Sequence, residues 1–285
     1  MISLSEIETQ FKNTMLDAGV ITEEAITGDG KLHRVYGVGD KRGTKNIAYV
    51  LHCDGNPSGW FMHYKTGVSA KWTLSGKREP LPDSMLEQMS YARKIRQAEQ
   101  EKANQHAAEK ARWIWEQAKP ITEVRQHPYL LNKRVKPHCS RGYREALVIP
   151  LVDELGAIVN LQLIAPNGEK RFLSGGRKKG CYCLIGENKD TLLIAEGFAT
   201  AASLHESTGK TAVIAFDAGN LAPVAETIRR QFPDAKIIIA ADNDDSGIGQ
   251  SKAHDAALVC GGKYLIPPMA GDFNDFINAG GVVYG

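Results

Sequence analysis

Leu192-Leu193-Ile194-Ala195-Glu196-Gly197 and Ile237-Ile238-Ile239-Ala240-Ala241-Asp242-Asn243-Asp244 share one grammar. Each is an apolar run of strand length that ends in a carboxylate and a turn. Runs of Ile and Leu bounded by Gly or Asp read as buried strands of a parallel sheet. In open α/β sheets, ligands bind outside the carboxyl ends of the strands. Glu196, Asp242 and Asp244 are therefore expected to converge on one edge. No cationic partner for them stands out in the sequence, so the three would repel one another. That arrangement asks for a hard divalent cation, Mg²⁺ or Mn²⁺, held by carboxylates, water and phosphate oxygens.

The alternation continues around these two runs. Strands are expected near 191–195, 211–216, 236–241 and 262–266, and helices near 198–208, 221–232 and 247–260. A short final helix is expected to begin at Asp272-Phe273-Asn274-Asp275. Upstream, Leu147–Val152 and Ala157–Ile164 flank Asp153-Glu154-Leu155-Gly156 and read as strand, turn, strand. Residues 84–119 are rich in Ala, Gln, Glu, Lys and Arg and read as one helix, with Asp83 as its cap and Pro120 as its stop. Ile7, Phe11 and Met15 mark an N-terminal amphipathic helix, and residues 31–78 read as short strands. Trp60, Phe61, Tyr64 and Trp72 are interleaved there with Lys65, Lys71, Lys77 and Arg78. Such interleaving suits either a small core or contact with single-stranded nucleic acid.

Four segments in order resemble the Toprim domain of bacterial-type primases, topoisomerases and some nucleases. They are Glu196–Ser203, Ala215–Asn220, Asp242-Asn243-Asp244 and Asp272–Asp275. The likeness is to plasmid and phage primases over roughly residues 120–280, with a weaker one to conjugative-plasmid primases over roughly 20–78. The resemblance implies an α/β fold: a small parallel Toprim sheet flanked by helices, preceded by a mixed α+β basic subdomain and a small N-terminal α+β module. Expected domains are 1–79, 80–119, 120–189 and 190–285. It implies a DNA primase that makes short RNA primers on single-stranded DNA from ribonucleoside triphosphates, with a replicative helicase as partner. A Toprim nuclease and a non-catalytic single-stranded DNA carrier are the alternatives.

The site residues follow from these motifs. Asp242 and Asp244 are expected as metal ligands, and Glu196 as a third ligand or the general base. Gly197 would let the backbone approach a phosphate at a helix start. Asp217, Asp245, Asp272 and Asp275 are accessory, with turn or cap roles as their alternative. Arg144, Arg171, Arg177, Lys178 and Lys179 are expected to hold nucleic-acid backbone or triphosphate, with Gly175 and Gly176 bending the loop.

Composition sets the limits. The chain has 285 residues, 42% apolar and 24% charged, which is ordinary for a globular protein. Its net charge of +2 is unevenly distributed: residues 1–189 carry 29 Lys and Arg against 21 Asp and Glu, whereas 190–285 carry 6 against 12. A basic front and an acidic back suit a nucleic-acid groove that leads to a metal centre. No apolar run reaches membrane-helix length and no signal-peptide core is present, so a cytoplasmic protein is expected. Five scattered cysteines without a C-x-x-C leave a zinc ribbon unsupported. No Walker A loop is present either.

Overall fold

The computed structural model describes residues 2–74, 83–244 and 247–283. It divides into two compact units, residues 1–90 and 91–285. Asp245 lies outside the described residues, as do Lys77 and Arg78.

In the first unit, α1 (Leu4–Asp17) starts at a capping box in which Ser3 and Glu6 satisfy each other's backbone amides. Four antiparallel strands follow in sequential order: β1 (His33–Val35), β2 (Ile47–His52), β3 (Ser58–His63) and β4 (Ser69–Thr73). The apolar stripe of α1 lies on this sheet. Phe11 is fully buried and its ring meets Tyr49, Phe61 and Trp72 at centroid distances of 5.9, 5.9 and 5.6 Å. A Cβ on Gly59 would stand 2.5 Å from the Phe11 ring, which explains a glycine in mid-strand. Trp72 thus belongs to the core, whereas Trp60 is half-buried.

Helix α2 runs from Asp83 to Gln117, and the division between the units falls within it. Pro120 does more than stop the helix. With Lys119 it forms β5 (Lys119–Pro120), the edge of an antiparallel sheet. An edge strand tolerates the missing amide. The sheet continues through β6 (Arg141–Tyr143), β7 (Ala146–Val152), β8 (Ile158–Ile164) and β9 (Lys170–Phe172). A short helix, α3 (Pro128–Lys133), precedes β6.

The second sheet of this unit contains β10 (Cys183–Ile185), β11 (Thr191–Ala195), β12 (Thr211–Ile214), β13 (Lys236–Ala240) and β14 (Lys263–Leu265). Helices α4 (Phe198–Thr208), α5 (Leu221–Gln231) and α6 (Ile248–Cys260) form the crossovers, and α7 (Phe273–Asn278) closes the chain. Strand order is β10-β12-β11-β13-β14, parallel except for β10. Alternate residues of β11 face opposite layers: Leu192 and Ile194 pack with α5 and α6, while Leu193 and Ala195 pack with α4. This accounts for a run that is apolar throughout.

The chain leaves β11 through α4 toward β12, then returns to place β13 on the other side of β11. The neighbours β11 and β13, with Ala195 opposite Ala240, therefore form the topological switch point of the sheet. A crevice opens where connections diverge in this way.

The two sheets of the second unit share one core. Leu147, Ile149 and Leu151 of β7 belong to the same buried cluster as Leu193, Phe198 and Ile214. A backbone bridge between Val152 and Tyr182 ties them further. Phe198 is fully buried at this junction, 6.5 Å from the Tyr129 ring. Replacing it by Ala should reduce the unfolding free energy by about 3–5 kcal/mol through lost transfer energy and a cavity. Urea unfolding measures this, and a loss below about 1 kcal/mol would show that the ring is not part of a packed core.

Candidate active site

A cleft of about 320 Å³ opens at the switch point, and Glu196, Asp242 and Asp272 line it. Glu196 follows the last residue of β11, and Asp242 lies two residues beyond β13. Asp272 arrives by another route. Asn243 and Gly271 exchange both backbone hydrogen bonds, at 2.8 and 2.9 Å, which docks the loop before α7 onto the end of β13. The Asn243 amide side chain adds bonds to the Pro267 and Met269 carbonyls at 3.0 and 3.1 Å. The middle residue of Asp242-Asn243-Asp244 is thus a fastener for the loop that carries Asp272.

Burial and crowding raise the proton affinity of Glu196 and Asp242. Asp242 is pushed up to about 7, first by burial, then by the charges of Glu196 and Asp272. Its Oδ1 is buried and has no hydrogen-bond partner among the described residues. Glu196 is also raised, by burial and by the Asp217 charge, while Lys170 and the Ala218 amide oppose the shift. Asp244 is exposed and accepts from the Gly249 amide at 3.3 Å near the start of α6.

The expectation that the carboxylates lack cationic neighbours needs correction. Lys170 lines the cleft, and its charge favours the ionised forms of both Glu196 and Asp242. Its Nζ would stand 3.5 Å from a Cβ built on Gly197, the N-cap of α4. The lysine was legible in principle. In β9 side chains alternate, so Lys170 and Arg171 point to opposite faces, and the loop cluster drew attention to the wrong neighbour.

The other expected cations do not form one cluster. Arg171 is exposed and pairs with Glu169 at 2.8 Å. Arg177 pairs with Glu154 at 2.7 Å. Lys178 pairs with Asp217, the residue whose charge acts on Glu196, and lies over the Phe172 ring at 5.3 Å. Lys179 is exposed. Arg144 belongs to a different cleft, at the turn between β6 and β7.

The loop that carries Lys178 is held by one buried side chain. The Asn220 amide donates to the carbonyls of Ala215, Lys178 and Cys181 at 2.8, 3.1 and 3.1 Å, and accepts from the Gly180 amide at 2.8 Å. Asp217 caps the turn before it, accepting from the Asn220 amide at 2.9 Å. Asp275 serves α7 instead of the cleft: it shares a capping box with Asp272 and pairs with Lys133 at 3.5 Å.

Tyr129 was not foreseen either. It lines the cleft with its hydroxyl buried and unpartnered among the described residues. Burial and the Asp272 charge push it up to about 12, so it stays a neutral donor. In sequence it is one tyrosine among nine.

Glu196, Asp242 and Asp272 line one cleft and offer only oxygen donors, the ligand type a hard cation takes. As they stand, no three acidic, His or Cys side chains among the described residues are close enough to hold an ion. Mg²⁺ needs only one or two carboxylates and keeps several waters, so the orphaned Asp242 Oδ1 with Glu196 nearby fits that group.

Residues 191–282 match the Toprim domain family. Two curated relatives extend the match, both a DNA primase TraC of Escherichia coli. One is 37% identical over 260 residues, covering 85% of this chain and 24% of that protein. The other is 33% identical over 284 residues, covering 92% of this chain and 19% of that protein. The chain therefore spans a quarter or less of the length of these relatives. Among solved structures, the primase fragment of the Bacteriophage T7 primase-helicase protein aligns at a TM-score of 0.44 and 15% identity, over 57% of this chain and 76% of that one. The Toprim resemblance of the plasmid-primase type, and the mixed α/β fold it implies, are both present. Among the described residues no helix is long and apolar enough to cross a membrane.

The raised Asp242 carboxyl has a consequence for stability. Unfolding returns it toward 3.8, so the folded state holds a proton more tightly than the unfolded one. Its ionisation opposes folding increasingly as pH rises from about 4 to 7, and fully above 7. In EDTA at pH 8, Asp242→Asn should therefore raise the Tm by a few degrees (~2–4 °C per kcal/mol), with the difference closing toward pH 4. A variant that melts at or below the wild type at pH 8 would show that the carboxylate is not strained.

Proposed function

We propose that this chain carries the catalytic centre of a DNA primase, which joins ribonucleotides into short primers on single-stranded DNA during replication of a plasmid, phage or integrative element. One observation carries this reading. The half-buried carboxylates Glu196 and Asp242 meet at the switch point beside Lys170, in a chain that aligns over 85% of its length with a DNA primase TraC.

Phosphoryl transfer asks for positioning and charge neutralisation more than for covalent work by the protein. Asp242, Asp244 and Glu196 would hold Mg²⁺ or Mn²⁺, with Asp272 beside them. The bound ion would neutralise phosphate oxygens and favour ionisation of the attacking 3′-hydroxyl. Glu196 serves as a further ligand or as the base for that proton, and its raised proton affinity suits either role. Lys170 and the first amides of α4 would cradle the incoming triphosphate, and Gly197 lets them approach it. Lys178, paired with Asp217, partly offsets the negative charge that acts on Glu196. Single-stranded DNA and ribonucleoside triphosphates are then the substrates, and a replicative helicase supplies the unwound template.

The test is primer synthesis on circular single-stranded DNA with labelled ribonucleotides and Mg²⁺, beside the doubly substituted Asp242→Ala/Asp244→Ala protein. Short labelled products should appear with the wild type and fall at least about a hundredfold in the variant, a loss on the order of an electrostatic transition-state contact. DNA binding should persist in the variant. Synthesis that survives the substitution would overturn the assignment, and nucleotide-independent cutting of the DNA would indicate a nuclease.

A further inference from the structure

The carboxylate cleft also contains a hydroxyl that the fold leaves unused. Tyr129 lines the cleft and is only 5% exposed, and its hydroxyl has no hydrogen-bond partner among the described residues. The Asp272 charge and the Ala199 amide both act on that hydroxyl, yet neither bonds it. A buried hydroxyl without a partner costs free energy that an apolar ring does not. Phenylalanine would fill the same space without that cost.

The ring is not free to carry its hydroxyl elsewhere. The Tyr129 amide donates to His127 Nδ1 at 3.3 Å, and His127 Nε2 donates to the Glu145 carbonyl at 3.1 Å. The ring tilts against Phe198 on one side. Against Gly168 it leaves so little room that an added Cβ would stand 3.7 Å from Tyr129 Cδ2. The far end of α3 is fastened as well: Asn274 and Asn278 of α7 donate to the Lys133 carbonyl at 2.7 and 3.2 Å.

The groups around this hydroxyl on the α4 side are donors. The first amides of α4 have no acceptor in their own helix, and the N-cap Gly197 has no side chain to supply one. The Lys170 ammonium lies near Gly197. A ligand that satisfies a row of amides, an ammonium and a phenol together must be anionic, with several acceptor oxygens. A phosphate group has that chemistry.

The geometry points to a binding role for Tyr129: its hydroxyl donates to a phosphate oxygen of a nucleoside triphosphate seated at the start of α4, beside Lys170. The inference rests on the primase reading for the identity of the nucleotide and adds to that site a neutral donor from α3. Stability is given up in the empty site and recovered when the phosphate arrives.

The experiment compares wild type with Tyr129→Phe, which removes the oxygen alone. Binding of ATP and of inorganic pyrophosphate is measured by equilibrium dialysis with Mg²⁺, and binding of a labelled oligothymidylate by anisotropy. The Tm is measured in EDTA without ligand, and primer synthesis is run in parallel. The variant should bind ATP and pyrophosphate about tenfold more weakly, the loss of one hydrogen bond to a charged group, and oligothymidylate as wild type does. Its Tm should equal the wild-type value or exceed it by up to about 4 °C, because the unsatisfied hydroxyl is gone. Unchanged affinity for ATP and pyrophosphate would overturn the inference, as would a lower Tm, which marks the hydroxyl as structural. A loss confined to oligothymidylate would also overturn it and assign the hydroxyl to the strand. If the variant binds nucleotide and primes like wild type, the role of Tyr129 fails and the primase reading stands. If neither protein makes primer but the variant alone loses ATP and pyrophosphate, the role of Tyr129 stands and the primase reading fails.

Discussion

The site depends on keeping negative charges together where water is scarce. Burial and two neighbouring acids push the Asp242 carboxyl up to about 7. Acids in such a place repel unless a cation intervenes. Lys170 intervenes only partly, since Asp242 and Glu196 both remain raised beside it. The cleft is therefore left with unspent affinity for positive charge. The strand order makes this possible. Because β13 lies beside β11 across the switch point, the two carboxylates are neighbours although 46 positions separate them in sequence.

Holding charges against their repulsion requires rigid attachment, and two asparagines provide it from opposite sides. Asn243 pins the loop that delivers Asp272, and Asn220 pins the loop that delivers Lys178. Each bonds main-chain carbonyls, which cannot move without the fold moving. Asn220 is fully buried with its amide donors and its carbonyl engaged. A buried polar group of this kind stabilises only while every partner is present. This couples the basic loop to the end of β12 as one unit, so that Lys178 is not an independent surface lysine.

The strand and helix sequence of the Toprim region was legible because its periodicities are clean. The β11 and β13 runs are apolar throughout, and Gly197, Gly209 and Gly261 punctuate the helices. Glu196 and Asp242 were legible from the same runs, since a strand end fixes where the next carboxylate goes. Strand order was not, because nothing local says which side of β11 receives β13. Lys170 and Tyr129 were hidden for a related reason: each reaches the cleft from the antiparallel part of the unit, and only the shared core brings those parts together. The basic loop read as one cluster because sequence shows cations and not their partners. Glu154 and Asp217 lie 23 and 39 residues away from the cations they neutralise.

That partition bears on where phosphates would go under the proposed function. A phosphate arriving at Arg171 or Arg177 must compete with a carboxylate already in place. Exposed pairs of this type are worth little, on the order of 0–1 kcal/mol, so the competition is feasible but gains less than an unpaired cation offers. Among the described residues Lys170 has no such ion pair, and its ammonium group lies near Gly197 at the start of α4, where amides and dipole also favour an anion. Under that function a triphosphate would be drawn to the point where Glu196 and Asp242 already favour a cation. The carboxylates alone would repel it. Substrate and ion would then each make the other's binding favourable, and a site strained when bare would be balanced with both present.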